Sequence, residues 1–408
     1  MTGLALQAPS AHGPAAATGL DCVLFLCPAY DCRYPSETMW QRLEALRRIG
    51  AVKLLPMFPP QHACLTPPPN TRVEFVGDKQ RSRKDLFQYP SRVASRAARL
   101  ASGRGLIWAN SNLFTRRAAF AAARVTGWPV VVDVWDVPDL PMWSQYREGC
   151  YVKSLFHRVM SYGLARHLEA ADLVVWSLHP GSTRRYFRVD PRRTLFLPNG
   201  IRSKELVAKD VVRTSVPNQL LYMGHFRHSR GSRLMVEMMS GLRQPAAELN
   251  VVGDIGAPEA RKAIAGVPEQ VMSSIRFYGH MPWPEAVALV RACGICLYPF
   301  PHGPELEYIY PLKLLEYAAL NKWIVSSDLA GAQHLLRGYR KVRFCDPGRP
   351  AEWMRAVDEI RDIIANRGDE PAEFPAEEYD WQVLGRQLEA RVRQLLSRPE
   401  RRYVAPCG

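Results

Sequence analysis

The sequence predicts an α/β protein built on two doubly wound parallel sheets, and three observations carry that prediction. An apolar run at 21–27 is followed by a loop, a helical segment at 39–50 and a second apolar run at 51–58, the order that opens such a sheet. In the second half, three strand–glycine–helix units follow one another between 219 and 298, which favours a nucleotide-binding fold. The length, 408 residues, accommodates two domains of ordinary size.

Composition narrows the class. At 47% hydrophobic the chain can fill large cores, yet it holds no run of 18 apolar residues of the kind a transmembrane helix needs. Residues 1–20 lack a basic n-region and a sustained apolar stretch, and read as a disordered leader rather than a signal peptide. Nine cysteines, an odd number without framework spacing, point to a reducing, cytoplasmic setting. Cys293 and Cys296 form a CxxC, but ACGICLYPF reads as a strand, where side chains three apart face opposite ways; metal or disulfide pairing is not expected there. The net charge of +15 is uneven. Residues 1–195 carry 26 Lys/Arg against 14 Asp/Glu, a net of +12, and residues 196–408 carry 28 against 25, a net of +3. A basic first half suits an anionic partner, or is a soluble basic surface with no partner. No recognisable nucleic-acid reading module accompanies it, so nucleic acid is not expected.

Taken in order, DCVLFLC is a buried first strand, MWQRLEALRRIG a helix ending at Gly50 and AVKLLPMF the second strand. The intervening loop PAYDCRYPSET lacks the G-x-G-x-x-G of a dinucleotide-binding turn, which disfavours an NAD site. A proline-rich loop then leads into the basic stretch 79–104. Within it Val93, Ala97 and Leu100 share a helical face flanked by Arg92, Arg96 and Arg99, a pattern that suits an anionic membrane surface or an ordinary solvated face. GLIWANS is the next strand, 113–127 a helix capped by Gly127, and WPVVVDVWD a further strand. Asp136 falls where that strand ends. Ligands of open parallel sheets bind beyond the strands' carboxyl ends, which makes it a candidate catalytic carboxylate, with Asp139 a weaker one and Asp133 inside the strand. A loop aspartate that caps the next helix is the alternative. YVKSLFHRVMSYGLARHLEAA reads as one long amphipathic helix, DLVVWSL as a strand, and the chain crosses to its second half at about 200–216.

The richest stretch is GPELEYIYPLKLLEYAALNKWIVSSD, residues 303–328. Pro311 suits the first helical position, Leu312, Leu315 and Ala319 recur at helical spacing, and Asn321 is the stop signal before a short buried strand. Lys313 and Glu316 lie on one side of the first two turns. A lysine in a first turn opposes the helix dipole, an arrangement that makes sense where a phosphate docks against the helix start. Glu316 would then accept from ribose hydroxyls. An ordinary ion pair worth about 0.2–0.5 kcal/mol is the bland alternative for the same two residues.

This stretch resembles the donor-site motif of GT-B glycosyltransferases, above all family 4 (P-x-K-L-x-E-Y, then V-x-S-D), with a looser similarity to the membrane-associated glucuronosyltransferases of xanthan-type polysaccharide synthesis. Three further motifs follow the family's order. QLLYMGHFRHSRG is similar to G-R-L-x-x-x-K-G, with Gly224 and Gly231 in place, Arg230 at the lysine, His225 at the arginine and Arg227 nearby. ELNVVGDIG is similar to the strand ending in G-[DS]-G, with Gly253 and Asp254 in place and Ile255 extra; IRFYGHMPWPE is similar to V-x-F-x-G-x-V-P-x-x-E. LPNGI resembles the family's domain junction.

The resemblance implies two Rossmann-like domains with a cleft between them: a leader at 1–20, an acceptor-binding domain at 21–200, a nucleotide-sugar-binding domain at 217–375, and a C-terminal helix at 376–398 that crosses back. It implies transfer of a sugar from a nucleotide diphosphate-sugar, UDP favoured and GDP the alternative, to a glycan or polyprenyl-linked acceptor in bacterial polysaccharide synthesis, without a resident metal or cofactor. Lys313, Arg230, Arg227 and His225 would face the diphosphate, Glu316 the ribose, and backbone at His280 and Met281 the base. Gly224, Gly253, Asp254, Tyr310 and Leu312 would complete the donor pocket. Asp136 would serve as general base, inversion being favoured over retention. The family's glutamate eight residues before Glu316 is Tyr308 here. That departure and His225 leave a catalytically silent scaffold as the second reading.

Overall fold

The structure, a computed structural model, describes residues 20–29, 37–58, 71–73, 83–100, 103–136, 146, 149–206, 215–243, 247–253 and 264–397. Nearly all of the expected leader, the loop after the first strand, the proline-rich loop, residues 79–82, Asp139, Asp254 and the tail after 397 lie outside them.

Continuous apolar runs become strands buried on both faces, as parallel sheets require. The first sheet joins β1 (Cys22–Ala29), β2 (Val52–Phe58), β3 (Thr71–Val73), β4 (Gly105–Asn110), β5 (Val130–Val134), β6 (Leu173–Trp176) and β7 (Thr194–Phe196), in the order β3-β2-β1-β4-β5-β6-β7. The second joins β8 (Val216–Met223), β9 (Glu248–Val252), β10 (Ile275–Gly279), β11 (Cys293–Tyr298), β12 (Trp323–Ser327) and β13 (Val342–Cys345), in the order β10-β9-β8-β11-β12-β13. Neighbours pair in parallel throughout. Each order reverses at the first strand, between β1 and β4 and between β8 and β11, and crevices form beyond the carboxyl ends at such points. Two apolar clusters cover the faces of each sheet.

A buried ion pair braces the first sheet. The Arg42 guanidinium meets Asp133 at 3.2 Å and also donates to the Ser177 hydroxyl at 3.1 Å. Burial pushes the Asp133 carboxyl up and Arg42 holds it back, while burial draws Arg42 down. Removing one partner of such a pair strands the other charge, which costs more than the pair itself contributes.

Three sequence expectations are corrected. The stretch 151–171 is two helices, Tyr151–Met160 and Leu164–Ala170, broken where Gly163 takes a left-handed φ of 68°. Pro311 is the N-cap of helix Leu312–Ala319 rather than its first residue, because its ψ of 122° is extended. In helix Arg83–Ala98, Val93 and Ala97 are fully buried in the core against helix Leu113–Thr126, while Phe87, Arg96 and the following Arg99 are exposed. Cys293 and Cys296 share one face, their sulfurs 3.5 Å apart as free thiols. The β8–β11 register shifts between Cys293 and Ile295, where Gly294 sits against the Val216 carbonyl, and this breaks the two-residue alternation.

Helix Trp381–Leu396 packs on the first sheet. Trp381, Leu384, Leu388, Val392 and Leu395, at helical spacing, pack against Val23 and Phe25 of β1. Asp380 caps it, accepting from the Gln382 amide at 2.8 Å, and its other oxygen accepts from the Ser203 hydroxyl at 2.6 Å and amide at 3.1 Å. Ile201 pairs with this segment through its amide to the Tyr379 carbonyl and its carbonyl to the Trp381 amide. The two chain crossings are thereby tied to each other.

Asp380→Ala should lower the unfolding free energy by about 2 kcal/mol, the sum of a lost cap and an orphaned hydroxyl. In urea denaturation, Ser203→Ala should cost less and add little to Asp380→Ala, since the one bond it removes, from the Ser203 hydroxyl, is already lost in Asp380→Ala.

Candidate active site

The donor-side elements converge at the carboxyl ends of the second sheet. Gly224, Gly253 and Gly279 end β8, β9 and β10 side by side: the Gly224 amide bonds the Val252 carbonyl at 2.9 Å, and the Gly253 amide the Gly279 carbonyl at 2.8 Å. A Cβ on Gly253 would come within 2.2 Å of the Gly224 carbonyl oxygen, at a φ of 147° that side chains rarely adopt. The row is therefore a shelf of bare backbone. Beyond it Gly231, at φ 85°, starts helix Ser232–Gly241, and a Cβ there would collide with the Pro299 carbonyl.

Helix Leu312–Ala319 forms the adjoining wall. Its end is a Schellman motif: the Asn321 amide bonds the Ala318 carbonyl at 2.9 Å and the Lys322 amide the Tyr317 carbonyl at 3.0 Å, with Asn321 at φ 58°. Glu316 is buried and its carboxylate fully engaged, one oxygen accepting from the Trp283 indole at 2.8 Å and the other from the Lys313 ammonium at 3.0 Å. Lys313 is about a third exposed at its side chain and can leave this pair. Trp283 opens helix Trp283–Ala292 directly after exposed His280 and half-buried Met281, so the Glu316–Trp283 bond joins the 280–282 loop to this wall. Arg202 lies over the Trp283 ring at 5.7 Å.

Arg230 connects the two halves. Its guanidinium sits 4.7 Å from the centre of the Phe300 ring and acts electrostatically on Asp136, at the exit of β5. The Asp136 carboxyl is reachable from solvent, yet protein crowds it. Crowding pushes it above the ordinary carboxylate range, and Arg230 holds it back. His225 is exposed and Arg227 half-buried on the turn leading to Arg230, whose amide bonds the Arg227 carbonyl at 2.9 Å.

The halves also meet around His179, beyond β6. Its amide bonds the Tyr308 carbonyl at 3.0 Å and its ring stacks on Tyr308, centroids 5.6 Å apart, and meets His334 edge-on at 4.7 Å. The Tyr310 hydroxyl and His334 Nδ1 are 2.6 Å apart. The ring accepts from the Gly181 amide at Nδ1, and burial together with His334 lowers its pKa below the ordinary histidine value. Asn199, at the junction, accepts from the Thr38 hydroxyl at 2.9 Å and donates to the Tyr310 carbonyl at 3.5 Å. Tyr308 thus serves as an interdomain contact. Glu307 caps helix Ala330–Leu335 through the Ala330 amide at 3.0 Å, and Glu305 is buried.

The structure therefore brings Gly224 and Gly253 together at the carboxyl ends of the second sheet, ties Lys313 and Glu316 to the 280–282 loop through Trp283, and lets the Arg230 charge act on Asp136. Tyr310 is turned to His334, and Asp254 lies outside the described residues. Sequence reasoning missed Trp283, Phe300, His179 and Asn199, whose partners are distant in sequence.

Residues 217–362 match the family model for glycosyl transferases group 1. No curated protein matches the chain. Among solved structures, sucrose-phosphate synthase from Thermosynechococcus elongatus superposes with a TM-score of 0.68 at 17% identity, covering 92% of this chain and 99% of that one. The fold is GT-B. Two further GT-B relatives are Anabaena HepE in complex with UDP and glucose (TM-score 0.61, 15% identity, 91% and 98% covered) and a UDP-forming trehalose-phosphate synthase from Burkholderia vietnamiensis (TM-score 0.59, 12% identity, 92% and 98% covered). The GT-B frame agrees with both strand orders and with the returning helix.

Trp283→Phe should leave one Glu316 oxygen buried without a donor and lower stability by about 1–3 kcal/mol in urea denaturation. Glu316→Gln in the Trp283→Phe background should recover part of the loss, because a buried neutral amide is less costly than a carboxylate short of donors.

Proposed function

We propose that the protein is a glycosyltransferase that moves a sugar from a nucleotide diphosphate donor to a hydroxyl of a glycan or polyprenyl-linked acceptor. The observation that carries this reading is the Lys313–Glu316 pair on its helix, inside the matched family segment and next to the glycine row at the carboxyl ends of the second sheet, with the Arg230 charge acting on Asp136. A cation for a leaving diphosphate then faces a carboxylate for an incoming hydroxyl. UDP is the favoured nucleotide, in keeping with the UDP-bound and UDP-forming neighbours, and residues 21–200 and 217–375 take the acceptor and donor roles.

In the proposed reaction Asp136 takes the acceptor hydroxyl's proton as that oxygen bonds to the sugar's anomeric carbon. The bond from that carbon to the diphosphate oxygen breaks, and the electron pair leaves with the diphosphate. Arg230 and Lys313 neutralise the developing charge, the role preorganised cations fill in transition states. Lys313 leaves Glu316 for the diphosphate, and the freed carboxylate oxygen accepts from ribose hydroxyls. The glycine shelf lets backbone approach the phosphates. These two cations supply the counter-charge within the protein, and the proposal involves no metal. A single displacement inverts the anomeric centre; if the product retains it, Asp136 positions the acceptor instead. A silent scaffold is the second reading, favoured by Tyr308, which is engaged with His179 instead of a donor sugar.

A thermal-shift panel of UDP, GDP, ADP and CMP should show stabilisation by UDP, lost in Lys313→Ala and Glu316→Ala; no shift from any nucleotide would favour the scaffold. Asp136→Asn should reduce turnover by about 10²–10⁴-fold. The base works deprotonated, so the acid limb of kcat/KM should lie above the range of an ordinary aspartate. Arg230→Gln, which removes the cation that lowers the Asp136 pKa, should move that limb further up in pH.

A further inference from the structure

Helix Tyr151–Met160 is built inside out. Its large apolar side chains are exposed, with Val152 at 85%, Leu155 at 62% and Phe156 at 51%, and among its described side chains Ser154 is the buried one. Surface helices of globular proteins do the reverse. At about 100° per residue, Tyr151, Leu155, Val159, Val152 and Phe156 fill a continuous arc of about 140°. Lys153 and Arg158, both exposed, border its two edges. Tyr162, also exposed, extends the patch past the helix end. Residues 149–168 contain no aspartate or glutamate.

We propose that this helix docks the protein on an anionic lipid surface, lying in the headgroup plane with its apolar arc facing inward. Charge selects that occupant. A second copy seated on the same face would set Lys153 and Arg158 against their own duplicates, with no carboxylate in the segment to neutralise them. Anionic headgroups supply the complementary charge and the acyl boundary takes the apolar arc. Tyr151 and Tyr162, apolar rings with polar tips, suit the boundary itself. The helix belongs to the connection between β5 and β6, on the first sheet. Docking there goes beyond the proposed reaction and is tested without it.

Flotation of the full chain with vesicles of phosphatidylcholine, alone or mixed with phosphatidylglycerol, is the test. Binding is expected to the mixed vesicles and to weaken with salt. Leu155→Ser with Phe156→Ser, and separately Lys153→Glu with Arg158→Glu, should each reduce it at least about tenfold, the size expected from losing apolar burial or inverting two cations at such a surface. Arg96→Glu with Arg99→Glu should leave it unchanged. Absence of wild-type binding, or loss only with Arg96→Glu and Arg99→Glu, would overturn the proposal. So would a lipid-free dimer that Leu155→Ser with Phe156→Ser dissociates, since the occupant would then be a second copy.

Discussion

Asp380 fastens the molecule at the one place where the chain passes twice between its sheets. One carboxylate oxygen starts the returning helix and the other holds Ser203 of the outgoing linker, while Ile201 bonds backbone on both sides of it. The placement of Asp136 opposite Arg230 depends on this junction, because neither residue's own sheet fixes the other. His179 on Tyr308 and Asn199 between Thr38 and Tyr310 are further ties between the halves.

The site combines two unlike kinds of surface. The glycine row is rigid, since backbone hydrogen bonds and steric exclusion hold it, and it offers amide edges without side chains. Beside it, Lys313 and Glu316 form a pair whose partners can be exchanged. The indole of Trp283 keeps half of the carboxylate satisfied whichever group occupies the other half. Such a pair costs little to open compared with a carboxylate that must be stripped of all its donors.

Much of the frame was legible because parallel strands buried on both faces write themselves as apolar runs, as at 21–27 and 323–327. Glycine and asparagine at helix ends were equally plain, Gly127 and Asn321 among them. The failures share a cause. Trp283 meets Glu316, Arg42 meets Asp133 and His179 meets Tyr308 only after the sheets are wound, and no local spacing encodes those partnerships. Periodicity marked amphipathic faces near 93–100 and over 151–171 but could not say which way they turn: Val93 and Ala97 go into the core, whereas Val152, Leu155 and Phe156 go away from it. Topology singled out Asp136 as a candidate, since strand ends are where such sheets bind, whereas the charge of Arg230 acting on it required the second sheet in place.

The sealed thiols have a consequence of another kind. Cys22 and Cys27 lie inside the first half, and Cys293 and Cys296 inside the second, all of them thiols outside any disulfide and nearly inaccessible. Burial also raises the pKa of Cys27 and Cys296, which keeps both protonated and inert while folded. A thiol reagent reaches each set only through an opening of its own half. Each half thus carries an internal clock for its cooperative unfolding, and the ratio of the two labelling rates measures how independently the halves breathe.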